Sequence, residues 1–213
     1  MDKRGKFIVI EGLDGSGKGT QIKLLKERLQ RQPVFFTREP GGEGNALAEE
    51  IRTMLLRQDG PKSTALADFY LFFASRAAHV EQTVEPQRAR GVHVVCDRYA
   101  SSTYAFQIYG EERYGHKALF DANMQSLGTN FYPTLYIVLD LPPEVAYERR
   151  KKDDEQAKSK FDIKPLSYHE RVREGYKAFA KKYGPVEFVD ANRSVEEVHQ
   201  DVWNIVSHEL GLS

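Results

Sequence analysis

A glycine-rich segment near the start of the chain combines a flexible backbone with a lysine that could bind phosphate. It comprises Gly12, Leu13, Asp14, Gly15, Ser16, Gly17, Lys18, Gly19 and Thr20. Glycines let the backbone wrap around an anion with its N–H groups pointing inward. The ammonium group of Lys18 would then bind the β and γ phosphates of a nucleoside triphosphate. The alternative is a turn with a solvated lysine, but the position between an apolar run and a helical pattern favours a phosphate loop.

The residue after the lysine departs from the usual form of such a loop. Ser or Thr usually follows the lysine and ligates Mg²⁺, whereas here Gly19 follows Lys18 and Thr20 comes next. This Gly-Lys-Gly-Thr order resembles that of adenylate kinases. We therefore expect Mg²⁺ to be held mainly by nucleotide oxygens, water and a nearby carboxylate. Thr20 and Asp97 are the candidate metal ligands, and Mg²⁺ with a nucleoside triphosphate is the predicted cofactor.

Two further segments carry groups suited to a second substrate. Arg38 ends an apolar run, and a guanidinium binds phosphate through two parallel hydrogen bonds. Phe72 and Arg76 are four residues apart and share one face of a predicted helix, where a ring and a guanidinium suit a flat heterocycle. The alternatives are a solvated Arg38 in a surface turn and a purely structural role for Phe72 in the core.

A third polar cluster follows the next apolar run. It comprises Asp97, Arg98, Ser102, Thr103, Phe106 and Gln107. These residues supply a carboxylate, a second guanidinium, hydroxyls, an aromatic ring and an amide. A structural salt bridge between Asp97 and Arg98 is the alternative interpretation.

The elements that must position these groups alternate along the chain. Short apolar runs typical of buried strands occupy 7–10, 34–37, 92–96, 134–140 and 186–189. Helical patterns lie at 20–31, 46–57, 64–90 and 195–210. This alternation predicts an α/β fold with a parallel sheet covered by helices on both faces. Ligands of such sheets bind at the carboxyl ends of the strands, where the candidate residues lie.

Composition excludes several classes of protein. The 213 residues contain 31 Lys and Arg and 31 Asp and Glu, so the net charge of zero gives no global field to attract nucleic acid polymers. The single cysteine, Cys96, fits a reducing cytoplasmic location. We find no signal peptide or membrane span, and we expect one domain over 1–213. The histidines, including His79 and His93, show no metal-ligand spacing, and we interpret them as structural.

Taken together, these segments resemble the thymidylate kinase family over essentially the whole chain. The resemblance includes the loop beginning at Glu11, the Thr-Arg-Glu-Pro-Gly-Gly run at 37–42, Asp97-Arg98-Tyr99 with Ser102 and Gln107, and Phe161 with the run at 168–176. It implies a three-layer P-loop NTPase fold with a five-stranded parallel sheet and a mobile lid. It also implies the reaction of ATP with dTMP to give ADP and dTDP, and a homodimer.

The same resemblance implies roles for individual residues. Phe72 would stack on thymine, Arg76 would bind its O4 atom, and Thr103 and Gln107 would also meet the base. Arg38 and Arg98 would hold the dTMP phosphate, with Arg52 lining this pocket. Asp14 would lie near the sugar 3′-hydroxyl. Phe106, where many relatives carry Tyr, would crowd the 2′ position and disfavour ribonucleotides.

The largely polar segment at about 149–162 is the predicted lid. Because Gly15 and Ser16 give the phosphate loop no arginine, we expect the lid to supply the cation. Arg149 and Arg150 are the candidates, and Arg149 could also stack on adenine. Lys151, Lys152, Lys158 and Lys160 follow, with solvation as their alternative role. Other nucleoside monophosphate kinases, a deoxynucleoside kinase and a non-catalytic NTP-binding switch remain the competing functions.

Overall fold

A parallel β-sheet is the centre of the fold. The computed structural model describes residues 4–57, 59, 61, 63–128, 131–151 and 164–212, and side chains in that part except that of Lys151. Within this part, the five strands are β1 (Phe7–Gly12), β2 (Val34–Arg38), β3 (His93–Asp97), β4 (Leu135–Asp140) and β5 (Val186–Asp190). Their order in the sheet is β2-β3-β1-β4-β5, and every pairing is parallel. The predicted five-stranded α/β fold is therefore confirmed.

Helices connect the strands. They are α1 (Lys18–Arg28), α2 (Ala46–Leu56), α3 (Ala65–His79), α4 (Glu85–Ala89), α5 (Ala100–Ser102), α6 (Lys117–Leu127), α7 (Pro143–Lys151), α8 (Leu166–Ala180) and α9 (Val195–Leu210). Two π-helical segments continue α3 and α5, at Val80–Val84 and Thr103–Gly110, and a short 3₁₀ turn spans Tyr114–His116. None of the helices in the described ranges is both long enough and apolar enough to cross a membrane.

Side chains of β1 alternate between two hydrophobic cores, one on each face of the sheet. Ile8 and Ile10 pack in the core that contains residues of α1, α8 and α9. Phe7 and Val9 pack in the other core, with residues of α3 and α6. All of β1 is buried, which explains why this strand is a continuous apolar run rather than an alternating one.

Element boundaries differ from the predicted ones at functionally important places. The first helix was expected at 20–31 but begins at Lys18, because Gly17, with a φ of 90°, turns the chain directly into the helix. Asp97 is the last residue of β3 rather than a residue after it. The predicted helix at 64–90 is interrupted by the π-helical segment Val80–Val84. Arg149 and Arg150, expected in the lid, belong to helix α7, and 152–163 lie outside the described residues.

Candidate active site

A cleft of about 570 Å³ opens at the carboxyl ends of β1, β2 and β3. The predicted site residues that line it are Asp14, Gly15, Gly17, Lys18, Gly19, Thr20, Arg38, Arg52, Phe72, Arg76, Asp97, Arg98, Ser102, Thr103, Phe106, Gln107, Arg149 and Arg150. Gly12, Leu13 and Ser16 of the loop are buried and do not line the cleft. Segments far apart in the sequence therefore meet at one edge of the sheet, as parallel strand topology requires.

The phosphate loop forms one wall of this cleft. Gly12 adopts a φ of 143°, and a Cβ there would lie 2.6 Å from the carbonyl oxygen of Leu139, so the loop packs directly on β4. Helix α1 has no side-chain cap at its first residue, which leaves its first backbone N–H groups available to an anion. The loop therefore has the backbone geometry expected of a phosphate site.

Lys18 is held in place by the loop that it would serve. Its Nζ atom donates to the carbonyl oxygens of Gly12 and Leu13, at 3.1 and 3.0 Å. Burial lowers the pKa of this ammonium group, and the nearby charge of Arg98 lowers it further. Asp14, whose Oδ1 atom lies 3.8 Å from Nζ, acts in the opposite direction.

The end of β2 and helix α2 position two arginines. Arg38 donates from Nη2 to both carboxylate oxygens of Glu49, at 2.9 Å each. Arg52 donates from Nη1 to the carbonyl oxygen of Pro40, at 2.7 Å. Burial lowers the pKa of Arg52, and the charge of Arg38 adds to this effect. Both arginines line the cleft.

Arg76 is a buried arginine with one unused donor group. It is 1% exposed, and its Nε atom donates to Glu39 Oε2 at 3.0 Å, while Nη2 donates to Thr103 Oγ1 at 2.9 Å. Nη1 has no hydrogen-bond partner within the described residues. Because an unsatisfied buried N–H group is costly, and Arg76 lines the cleft beside Phe72, this atom suits a ligand that brings an acceptor.

Comparisons with known proteins agree with this geometry. A profile of the thymidylate kinase family matches residues 10–202. The thymidylate kinase of Symbiobacterium thermophilum is 40% identical over 209 residues, covering 96% of this chain and 94% of that protein.

The chain belongs to the thymidylate kinase family. The thymidylate kinase of Afipia carboxidovorans is 37% identical, covering 97% of this chain and 91% of its own length. That of Ruegeria pomeroyi is also 37% identical, with 99% and 98% coverage. The similarity to these thymidylate kinases thus extends over nearly the whole of each protein.

Sequence reasoning missed two residues that organise the site. Glu11 is fully buried and accepts hydrogen bonds from the backbone and hydroxyl groups around Ser102 and from the hydroxyl of Tyr176, at 2.6 to 3.2 Å. Burial raises the pKa of the Tyr176 hydroxyl well above its ordinary range, and the charge of Glu11 adds to this effect. Both residues lie within segments that resemble the family, and an unusual carboxylate at the end of an apolar strand was the available signal for Glu11.

Helix α7 contributes Arg149 and Arg150 to the cleft. Arg149 donates from Nη1 to the carbonyl oxygen of Ala191, at 3.1 Å, which fixes it beside the turn that follows β5. Arg150 also lines the cleft, and its charge contributes to lowering the pKa of Asp14. The lysines predicted at 152, 158 and 160 lie outside the described residues, as does the side chain of Lys151.

Asp97 provides an oxygen that suits a metal ion. Its Oδ1 atom is buried and has no hydrogen-bond partner in the part of the chain that the structure describes, and the residue lines the cleft together with Thr20. The described residues contain no cluster of three or more His, Cys, Asp or Glu side chains able to form a protein cage for a metal. This donor set fits Mg²⁺, which commonly binds through one or two carboxylates and substrate phosphates.

Proposed function

We propose that this chain transfers the γ-phosphoryl group of ATP to dTMP, giving ADP and dTDP in dTTP biosynthesis. The observation that carries the proposal is that the phosphate loop with Lys18 and the buried Arg76 with its free Nη1 line one cleft. A triphosphate on the loop and a base at Arg76 would bring donor and acceptor phosphates together between them. Membership in the thymidylate kinase family supports this choice of acceptor.

On the donor side, the residues of the loop bind and neutralise charge. Backbone N–H groups of residues 12–20 surround the β phosphate, and Lys18 binds the β and γ phosphates. In phosphoryl transfer the negative charge in the transition state lies on the three equatorial oxygens, so a fixed ammonium stabilises it without rearrangement. Arg149 and Arg150 approach from α7, and Arg149 would stack on adenine.

On the acceptor side, the protein binds both the base and the phosphate of the nucleotide. Phe72 stacks on the thymine ring, and Arg76 donates to O4, with Thr103 and Gln107 along the base edge. Arg38 and Arg98 bind the phosphate and offset the repulsion between the two polyanions, while Arg52 lines the same pocket. The attacking phosphate oxygen is already anionic, so no strong general base is required, and alignment supplies much of the catalysis.

Mg²⁺ would be held by Asp97 and Thr20 together with nucleotide oxygens and water, and it would neutralise the charge of the β and γ phosphates. Asp14 would orient the sugar 3′-hydroxyl and keep Arg98 in position. Ser102 would fix the same arginine from the other side, since Arg98 Nη1 lies 3.0 Å from its hydroxyl.

We further propose one domain over 1–213 with a lid at about 149–162, a cytoplasmic location and a homodimer. The single cysteine, which is buried and free, supports a reducing compartment. Exposed apolar residues on two packed helices support the dimer, namely Leu47 and Met54 of α2 and Leu66 and Tyr70 of α3. Light scattering on the wild type and on a Met54→Asp variant tests this, and an unchanged monomer mass in both would contradict it.

A panel of acceptors tests the proposed function. dTMP, dUMP, AMP, UMP, CMP and thymidine are compared in one assay that couples ADP formation to a spectroscopic signal. We expect dTMP to give the highest kcat/KM. A higher value for another monophosphate would identify a different nucleoside monophosphate kinase, and a higher value for thymidine a nucleoside kinase. ATP binding without ADP formation from any acceptor would indicate a non-catalytic switch.

A further inference from the structure

His79 is a fully buried histidine at the end of α3, and both of its ring nitrogens are occupied, one by a residue of β2 and the other by a residue of the loop that follows β2. Nε2 lies 2.8 Å from the hydroxyl of Thr37, and Nδ1 lies 3.0 Å from Glu39 Oε1. Gly42 packs against the ring so closely that a Cβ at this position would clash with its Cδ2 atom. The imidazole therefore has a single orientation, which the surrounding loop fixes.

The hydrogen bonds continue from Glu39 to the arginine proposed to bind the base. Glu39 uses one carboxylate oxygen for His79 and the other for Arg76 Nε, each at 3.0 Å. Arg76 Nη2 then donates to Thr103 Oγ1. Since two of the three nitrogens of the guanidinium are held, the direction of the free Nη1 atom is fixed as well. The side chains of Glu39 and Arg76 are 4% and 2% exposed, so water has little access to these bonds.

The hydrogen positions in this series of hydrogen bonds follow from the partner of each atom. The ion-paired carboxylate of Glu39 accepts, so His79 Nδ1 must donate to it. In a neutral imidazole Nε2 is then the acceptor, and the Thr37 hydroxyl donates to it. That hydroxyl in turn accepts from the backbone N–H of Glu43, at 3.3 Å. The His79 ring and the Thr37 hydroxyl thus each meet partners of the opposite kind, and His79 supplies a donor to Glu39 Oε1.

The same loop is bound to α3 at two further points. The backbone N–H of Gly41 donates to Ser75 Oγ at 3.0 Å, and Asn45 Nδ2 donates to the carbonyl oxygen of Ala78 at 2.9 Å. Arg38, the candidate phosphate ligand, is the last residue of β2 and directly precedes Glu39 at the start of this loop. The groups proposed for the acceptor phosphate and for the acceptor base therefore belong to one connected unit, with His79 at the junction.

We infer that His79 is a positioning residue for acceptor recognition. Acting through Glu39, it orients Arg76 so that Nη1 faces the carbonyl oxygen of the base. The inference rests on the proposed function, because it takes dTMP as the acceptor. His79 itself does not line the cleft, so its effect on the nucleotide must pass through the ion pair.

Two amide substitutions separate positioning from packing. In His79→Asn the amide nitrogen can take the place of Nδ1 and donate to Glu39, whereas in His79→Gln it lies nearer to Nε2 and that donor is lost. A hydrogen bond to a charged group corresponds to about tenfold or more in an equilibrium constant. We expect the KM for dTMP to rise about tenfold in His79→Gln and to stay within about threefold of wild type in His79→Asn. The KM for ATP should change in neither.

A double-mutant cycle with Arg76→Lys tests whether the effect passes through the arginine. The lysine keeps a charge beside Glu39 but has no fork and no Nη1. Adding His79→Gln to Arg76→Lys should change the KM for dTMP by less than about twofold, because coupled residues are not additive. His93→Gln is the control. His93 is the first residue of β3, whereas the cleft lies at the other end of this strand, and its Nδ1 accepts a backbone hydrogen bond. Thermal unfolding checks each fold, and Thr37→Val replaces His79→Gln in the cycle should the latter not fold.

The outcomes separate this inference from the proposed function. If the wild type turns over dTMP, two results would overturn the inference and leave the proposed function intact. One is equal KM values for dTMP in His79→Asn and His79→Gln, and the other is additive effects in the double-mutant cycle. Absence of dTMP turnover by the wild type would overturn the proposed function and the inference together. We expect the KM for dTMP to rise in His79→Gln and not in His79→Asn. We also expect this effect of His79→Gln to disappear when Arg76 is already replaced by Lys.

Discussion

Arg98 Nη2 lies 2.5 Å from Asp14 Oδ1, and this ion pair joins the residue after β3 to the phosphate loop after β1. Arg98 adopts a φ of 68°, in the left-handed region that non-glycine residues seldom occupy. Its Nη1 atom also donates to the carbonyl oxygen of Gly12, at 3.0 Å. A residue proposed to bind the acceptor phosphate is thereby fixed to the loop proposed to bind the donor.

Removal of the Lys18 ammonium should abolish most of the activity. We expect Lys18→Ala to lower kcat by at least about 10²-fold, by analogy with the loss of other electrostatic donors in active sites. Lys23→Ala is the control, because Lys23 is exposed on the same helix. Steady-state kinetics with saturating dTMP provides the measurement. Near-normal turnover in a folded Lys18→Ala protein would remove the proposed role.

The charge of Asp14 should stabilise the fold in a pH-dependent way. Burial alone would raise the pKa of Asp14, but the charges of Arg98 and Lys18 outweigh it and hold the pKa below its ordinary value of 3.8. The stabilisation is therefore fully present above pH 3.8 and is lost as the pH falls through the lower pKa of the folded state.

Urea unfolding of wild type and Asp14→Asn measures this effect. The difference in the free energy of unfolding between the two should be constant from about pH 7 to about pH 5 and should shrink at lower pH. Glu50→Gln, at an exposed position of α2, controls for the loss of one carboxylate. A difference that stays constant down to about pH 2 would contradict the lowered pKa.

Loss of the guanidinium group at position 76 should weaken the binding of the acceptor dTMP and leave the binding of the donor ATP unchanged. Arg76→Lys keeps the ion pair with Glu39 but removes the free Nη1 donor. A site built to hydrogen-bond a substrate group discriminates strongly, so we expect the KM for dTMP to rise about tenfold or more. The KM for ATP should remain within about twofold of wild type. Equal increases in both constants would argue against the base contact.

Phe106 should contribute to the preference for deoxyribonucleotides. Its ring is 6% exposed, lines the cleft and packs against the guanidinium of Arg98, with 4.9 Å between Cζ and the ring centre. We expect Phe106→Leu to reduce the kcat/KM ratio of dTMP to ribothymidine monophosphate by about tenfold, a typical value for steric discrimination. Phe120→Leu, in the other core, should lower stability without changing this ratio. An unchanged ratio in Phe106→Leu would place the 2′ position elsewhere.

The order of strands and helices along the chain could be predicted because it depends on local patterns. Apolar runs of a few residues, separated by helical spacing, identify buried parallel strands without knowledge of their neighbours. The boundaries were less accurate where local geometry overrides the pattern. Helix α1 begins at Lys18 rather than at 20 because Gly17 turns the chain there.

The partners of the site residues could not be predicted in the same way. Glu11 and the Tyr176 hydroxyl are 165 positions apart in the chain and meet at 3.0 Å. His79 was interpreted as structural because no ligand spacing surrounds it, yet it reaches Glu39 across 40 positions. No periodicity in the sequence reports such contacts, since they depend on how helices pack against the sheet.

The sequence by itself determined the α/β fold class, the phosphate loop and the residue types available at the carboxyl ends of the strands, because each depends on neighbouring residues or on strand direction. The tertiary structure decided which donors are occupied and which are free. Arg38 is bound by Glu49, whereas Arg76 keeps Nη1 without a partner among the described residues. The physical reason is that a side-chain hydrogen bond requires atoms within about 3 Å, and only the packing of distant segments sets distances of that size.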